Sequence, residues 1–235
     1  MSIFSRNPRA KLLKTIYVDA FAGTGFRREN CGLPKEENAL FDVSSDSDAR
    51  ALRKGSAQVA LETNPSFSEY IFIEDDKEHA KGLSTLRRRF PSIAARIRII
   101  AGDANRYLLT WCEETDWTKT RAVVFLDPYG MQVQWHTIEA MGKTQSIDLW
   151  ILFPLGDSTQ ANLVQQNARS NKRSDFKTIS TYWVTRLHSV FAAVARNPLP
   201  LRNSRNVPIY LLSFAAANPR GSKIAVKIAQ DILSR

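Results

Sequence analysis

Ile16-Tyr17-Val18-Asp19-Ala20-Phe21-Ala22-Gly23-Thr24-Gly25 is the stretch whose reading decides the fold. Ile16 to Phe21 reads as a buried first strand carrying a carboxylate at its end. Gly23 and Gly25 then permit a tight turn and a close backbone approach by a ligand, which a side chain would block. The pattern recurs along the chain. Tyr70 to Ile73 is a second apolar run, ending at Glu74-Asp75-Asp76 and followed by a helix through His79, Leu83 and Leu86 to Phe90. Arg96 to Ile100 forms a third strand ending at Gly102-Asp103, and its helix carries Tyr107, Leu108, Trp111 and Cys112. Ala122 to Leu126 ends in Asp127-Pro128-Tyr129-Gly130, with a helix near Thr137 to Met141, and Ile147 to Phe153 is stopped by Pro154 and Gly156. Strands alternating with helical patterns predict βαβ units, hence an α/β fold with a mainly parallel central sheet and helices on both faces. In such a sheet the carboxyl ends of the strands form the ligand crevice, which predicts that the strand-end acids face one cleft.

At 235 residues the chain is long enough to bury a large core as one domain without metal or disulfide staples, and a single domain over 1–235 is expected. Residues 26–54 have a polar, loop-like composition and are read as a loop insertion over the cofactor crevice. Gly55-Ser56 looks like a helix start, with Ser56 capping Ala57 to Glu62. A basic helical insertion is expected at about 157–207, polar up to 177 and then helical over Tyr182 to Ala195, with Trp183, Leu187, Val190 and Val194 inward. Pro208 to Ala215 reads as a late strand and Lys223 to Leu233 as a closing amphipathic helix.

The formal net charge of +10 is unevenly placed. Residues 160–235 hold twelve basic residues against Asp175 and Asp231, whereas the first 159 residues carry 21 of each sign. A segregated basic segment suggests a nucleic acid partner, because each neutralised phosphate releases counterions; the plainer alternative is a solvated basic surface that aids solubility. The first fifteen residues lack the apolar core of a secretory signal, no run approaches a membrane span, and Cys31 and Cys112 follow no spacing motif. A reduced, cytoplasmic protein without membrane or metal is therefore expected, and neither cysteine is a good nucleophile. His79, His136 and His188 are scattered, without metal-ligand spacing.

Three acids carry the cofactor reading. Asp19 closes the first strand before the glycine turn, Glu74 is placed to accept from ribose hydroxyls, and Asp103 to accept from an adenine amino group. Each has a plainer reading as a cap of the following helix. Asp127-Pro128-Tyr129-Gly130 is likewise explicable as a strand-terminating turn. Of the five tryptophans, Trp111, Trp117, Trp150 and Trp183 read as packing residues, and Trp135, close after that turn, as a possible base-stacking platform.

The register Asp19-x-Phe21-x-Gly23-x-Gly25 with Asp127-Pro128-Tyr129 resembles class I S-adenosylmethionine-dependent methyltransferases, in particular those methylating amino groups of nucleic acids. More specifically, Tyr17 to Gly25, Phe72 to Glu74, Gly102 to Asn105, Val124 to Met131 and Ile147 to Gly156 look like the three-Cys-motif partner family, a likeness that returns at Phe214 to Pro219. The second proline usual in the substrate motif is absent and the aromatic comes one residue early; Asp-Pro-aromatic-Gly is similar to the motif of tRNA guanine-N2 methyltransferases. The resemblance implies a Rossmann-like class I methyltransferase fold and S-adenosyl-L-methionine as cofactor. It implies Asp19, Phe21, Gly23, Gly25, Glu74 and Asp103 around that cofactor, and Asp127, Pro128 and Tyr129 at an exocyclic amine. Two other functions compete: a noncatalytic methyltransferase-like partner binding nucleic acid or a three-Cys-motif protein, and a nicotinamide-dependent dehydrogenase, which leaves Asp127 to Gly130 without a role.

Overall fold

The computed structural model describes residues 12–24, 55–155 and 176–234. These form two compact units, one ending at Asp127 and the other beginning at Pro128. Gly25, Cys31 and the stretches 26–54 and 156–175 lie outside the described residues.

The first unit is built on four parallel strands: β1 (Lys14–Asp19), β2 (Glu69–Glu74), β3 (Ile97–Ala101) and β4 (Thr120–Leu126). Their order is β3-β2-β1-β4, so β1 and β2 are flanked on both sides. Four consecutive residues of β2, Tyr70 to Ile73, have no exposed surface. A strand buried on both faces needs this continuous apolar run rather than alternation. On one face Tyr70 and Phe72 join Ala57, Leu61, Leu83 and Leu86 of three short helices: α1 (Ser56–Leu61), α2 (Lys77–Leu83) and α3 (Thr85–Arg89). Tyr17 of β1 sits against Phe67, Tyr70 and Phe72 at centroid distances of 5.6 to 6.4 Å. The other face carries α4 (Ala104–Glu114), which buries Leu108, Trp111 and Cys112. Parallel strands in the order 3-2-1-4, with helices on both faces, are the Rossmann-like α/β arrangement.

The second unit begins with α5 (Trp135–Lys143), and the strand pairs within it are antiparallel. β5 (Ile147–Pro154) pairs with β8 (Pro208–Ala216), and β8 also pairs with the short β6 (Ala193–Val194) and β7 (Leu199–Arg202). α6 (Phe176–His188) covers one face, where the Trp183 indole N–H donates to Ser213 Oγ at 3.0 Å and its ring stacks on Phe153 at 4.1 Å. α7 (Ser222–Leu233) covers the other, with Ala229 and Leu233 buried against Phe214 and Ala216.

Three local expectations are corrected. The first strand runs from Lys14 to Asp19, not from Ile16 to Phe21. Asp19 Oδ1 accepts the Phe21 N–H at 3.4 Å, a side-chain-closed turn that ends the strand before Phe21. The helix expected over Tyr182 to Ala195 runs from Phe176 to His188, and Ala193-Val194 is instead strand. Its Ala-rich sequence permits a helix, but the Ala195 N–H goes to Phe214 O at 2.9 Å, so pairing with β8 overrides local preference. The described part of 157–207 is therefore one helix and two short strands, not helical throughout. Finally, Gly55, not Ser56, occupies the cap of α1, and Ser56 makes no capping bond. Its hydroxyl is used elsewhere.

Candidate active site

The four parallel strands of the first unit leave the sheet at one edge, and each leaves beside an acid. In spatial order these are Asp103 after β3, Glu74 on β2, Asp19 on β1 and Asp127 after β4. The alignment is a consequence of register: Asp19 lies opposite Phe72 and Phe125, and Glu74 opposite Ala101.

Asp19 has no exposed surface. Its Oδ2 accepts the Ser56 hydroxyl at 2.5 Å, and its Oδ1 the Phe21 N–H. Burial raises its pKa from 3.8 to about 7; the bonds from Ser56 and Phe21 oppose the rise, and the charges of Asp127 and Glu74 add to it. Three carboxylates in a row cannot all ionise without cost, and the most buried carries that cost. Glu74 is half-buried and ties the turn to β2: its Oε2 accepts the Gly23 N–H at 2.7 Å and its Oε1 the Asp76 N–H at 3.0 Å. Gly23 has φ +57°, a conformation that favours glycine, and among the described residues nothing lies within 4 Å of the position a Cβ would occupy there. The same open space lies over Gly102. Phe21 enters the site through its backbone.

Asp103 is exposed and does cap α4, accepting the Arg106 N–H through Oδ1 at 2.7 Å. Glu74 is not a cap; Asp76 fills that role for α2, accepting from Glu78 and His79. The capping explanation thus holds for one of the two strand-end acids and fails for the other. A carboxylate oxygen has two lone pairs, so both retain acceptor capacity after these bonds.

Asp127 is exposed, and the chain beyond it opens the second unit. Pro128 is buried; Tyr129 has 72% of its surface exposed, and its N–H donates to Gln132 Oε1 at 3.0 Å. Gly130 turns the loop with φ +72°. Trp135, expected as a base-stacking platform, has a face covered: the Arg186 guanidinium lies 4.1 Å from its ring centroid, and its indole N–H donates to Glu139 Oε1 at 2.7 Å. Arg186 is held there by a bond to the Tyr182 hydroxyl at 2.8 Å. Trp111, Trp117, Trp150 and Trp183 pack against aromatic neighbours, as expected. Cys112 is buried, with its thiol pushed up to about 12, which disqualifies it as a nucleophile.

The sequence reading missed Ser56, Gln132 and Arg186. Each acts on a site residue through a side-chain bond or stack that no spacing motif announces. A cavity of about 440 Å³ opens at the opposite, amino end of the first unit's strands, lined by Lys14, Glu69, Arg98 and Thr120 together with Tyr107 and Trp111 of α4. It is not the strand-end site. Glu69 at its floor is nearly buried; burial pushes its pKa up, but bonds and charge from Lys14 and Arg98 hold it below the ordinary value.

Among the described residues no three of His, Cys, Asp and Glu converge as a metal-binding group, and no helix is long and apolar enough to cross a membrane.

No family model matches the chain, and no curated protein matches its sequence. Solved structures do. Protein LPL1258 from Legionella pneumophila, of family DUF519, superposes with a TM-score of 0.57 over 94% of this chain and 84% of its own, at 12% identity. Spermidine synthase from Thermotoga maritima gives 0.46 over 88% and 53%, at 11% identity. The 16S rRNA (adenine(1408)-N(1))-methyltransferase from Catenulisporales acidiphilia gives 0.41 over 90% and 89%, at 12% identity. At 12% identity the likeness to LPL1258 concerns the fold alone, which is α/β.

Proposed function

We propose that this chain is an S-adenosylmethionine-dependent methyltransferase acting on an exocyclic amino group of a nucleic acid base. The observation that carries the reading is the row of Asp103, Glu74, Asp19 and Asp127 along one strand-end edge, beside the open left-handed turn at Gly23. A dehydrogenase explains the turn and the first three acids but not the fourth with its Pro-Tyr-Gly sequel.

The residues fit the cofactor. The space over Gly23 and Gly102 leaves room for a flat ligand laid across the strand ends. Glu74 would hold ribose hydroxyls with the lone pairs left free by Gly23 and Asp76, and Asp103 an adenine amino group. Asp19 does not reach a ligand in this reading. It is a buried strut that fixes Ser56 and the Phe21 turn. When bound, the cofactor supplies an electrophilic methyl group on a sulfonium.

An exocyclic amine is a poor nucleophile while its lone pair is conjugated with the base. Hydrogen bonds from that amine to the Asp127 carboxylate and the Pro128 carbonyl favour a pyramidal nitrogen and stabilise the positive charge that develops on it. Most of the remaining work is alignment. Tyr129, exposed at the loop, supplies a ring on which the base stacks, and a duplex substrate must be flipped out to reach it. The basic segment 160–235 supplies phosphate contacts: Arg196, Arg202 and Arg205 are all exposed. The finer likeness to the three-Cys-motif partner family rests on the sequence stretches alone, and with it the proposal of a three-Cys-motif protein as partner.

Incubating the full chain with labelled cofactor and separate pools of RNA, DNA and protein tests the reading. Label is expected in a nucleic acid pool and lost by at least ~100-fold in Asp127→Ala, with cofactor affinity retained. Cofactor binding without transfer to any pool would leave a noncatalytic binding module; label in protein alone would refute the substrate class.

A further inference from the structure

α7 buries one side and leaves a second apolar side in water. Ile224, Ile228 and Ile232, spaced by four residues, are 53%, 42% and 49% exposed, while Ser222, Ala229 and Leu233 are buried. Residues at i, i+4 and i+8 form one ladder on a helix surface. A single exposed isoleucine is ordinary; three in a ladder on a helix already packed on its other side mark an interaction face.

The charges beside the ladder say what fits it. Lys223 and Lys227 lie in the amino-terminal half of α7, Arg220 lies just before it, and Asp231, one of only two acids in residues 160–235, lies in the carboxy-terminal half. By helical position Lys227 and Asp231 fall on the same flank of the ladder, with Arg220 in the turn before the helix. All three are exposed, and the first turn of α7 carries no acid to offset its cations. Cations at a helix amino terminus oppose the macrodipole, so the helix by itself is charged in the unfavourable direction.

From this pattern we infer that α7 is a homodimerisation face, pairing antiparallel with α7 of a second copy about a two-fold axis at Ile228. An isologous pair brings like flanks together and reverses their order. Ile228 then meets Ile228, and Ile224 meets Ile232 of the second copy. Lys227 comes within side-chain reach of Asp231 of the second copy, and the reciprocal pair forms on the other side of the axis. The carbonyl end of each helix lies level with Lys223 of its neighbour, at that neighbour's amino end, which relieves the unfavourable dipole. A parallel two-fold pair would instead place the charged flanks of the two copies on opposite sides of the seam, where Lys227 and Asp231 do not meet. One helix pair buries less than the ~1,200 Å² of standard stable interfaces, the size class of weak, exchanging complexes.

Sedimentation equilibrium of the full chain over a hundredfold concentration range tests this. The wild type is expected to shift from monomer to dimer, and Ile228→Lys, at an exposed position, to raise the dissociation constant at least ~10-fold while the dilute monomer unfolds at the wild-type temperature. Lys227→Glu and Asp231→Lys are each expected to weaken the dimer at low salt, and the double variant to restore it, because every copy then carries the reversed pair. A chain that stays monomeric throughout, a dimer indifferent to Ile228→Lys, or a double variant weaker than both single ones would overturn the proposal. So would a wild-type monomer in which Ile228→Lys alters only nucleic acid binding, since that would give the ladder a different occupant.

Discussion

In the first unit four strands run in one direction, and the chain leaves the sheet at the same edge each time. In the second, β5, β8 and β6 reverse direction at every pairing, so successive strand ends fall on opposite edges. The consequence is chemical. Parallel strands turn residues far apart in sequence into neighbours automatically, as Glu74 is to Gly23 across 51 positions. Antiparallel strands also pair distant residues, as β5 and β8 do, but they send alternate strand ends to opposite edges. The first unit therefore gathers its acids in a row, while the second buries its strand hydroxyl, Ser213, beneath Trp183 and presents its charge and exposed isoleucines on helix and loop surfaces.

The sharpest way to break this contrast is at the buried member of the row. Asp19 has its pKa raised from 3.8 to about 7, so the folded state holds a proton that the unfolded state has lost between those values. Stability contributed by this group is then greatest below pH 4 and falls as pH rises to 7, by roughly 4 kcal/mol. Asp19→Asn is expected to match the wild type in urea unfolding at pH 4 and to exceed it increasingly up to pH 8. An equal difference at both pH values would mean that the carboxylate bears no burial cost.

In the second unit the corresponding weak point is steric. A Cβ on Gly142 of α5 would stand 2.3 Å from Val190 Cγ1 and 2.9 Å from the Val190 carbonyl. The backbone cannot yield as a side-chain tip does, so Gly142→Ala should cost about 1–3 kcal/mol in unfolding free energy. A variant as stable as the wild type would show that the chain after His188 does not hold this position.

The smallest effect separates the two readings of Asp103. Loss of its cap on α4 predicts a cost near ~1 kcal/mol for Asp103→Ala. A cofactor contact predicts in addition a severalfold loss of S-adenosylmethionine affinity at temperatures where the variant is fully folded. Stability lost with affinity unchanged would make Asp103 a cap alone.

Much of the first unit was legible in the sequence because its signals are local. Apolar runs such as Tyr70 to Ile73 give the strands, the acid after each gives its end, and parallel topology does the rest. What escaped was the use to which polar groups are put. Ser56 sits where a helix cap belongs, yet its hydroxyl serves a carboxylate 37 residues away. In the second unit the sequence misleads more, because Ala192 to Ala195 has no local reason to leave a helix and does so only to complete an edge of β8. Trp135 shows the same limit for function: its proximity to Asp127-Pro-Tyr-Gly suggested a stacking surface, and the guanidinium of Arg186, 51 positions on, already covers a face.

If Glu74 and Asp103 of the strand-end row hold a methyl-donor cofactor, calorimetric titration of the full chain with S-adenosylmethionine, beside Glu74→Ala, shows it most directly. Hydrogen bonds to a charged carboxylate contribute about 1.5–3 kcal/mol, so the wild type is expected to bind one equivalent and Glu74→Ala to bind roughly 10- to 100-fold more weakly. A wild type that takes up no cofactor at millimolar concentration, or a Glu74→Ala variant that binds as tightly, would contradict the account.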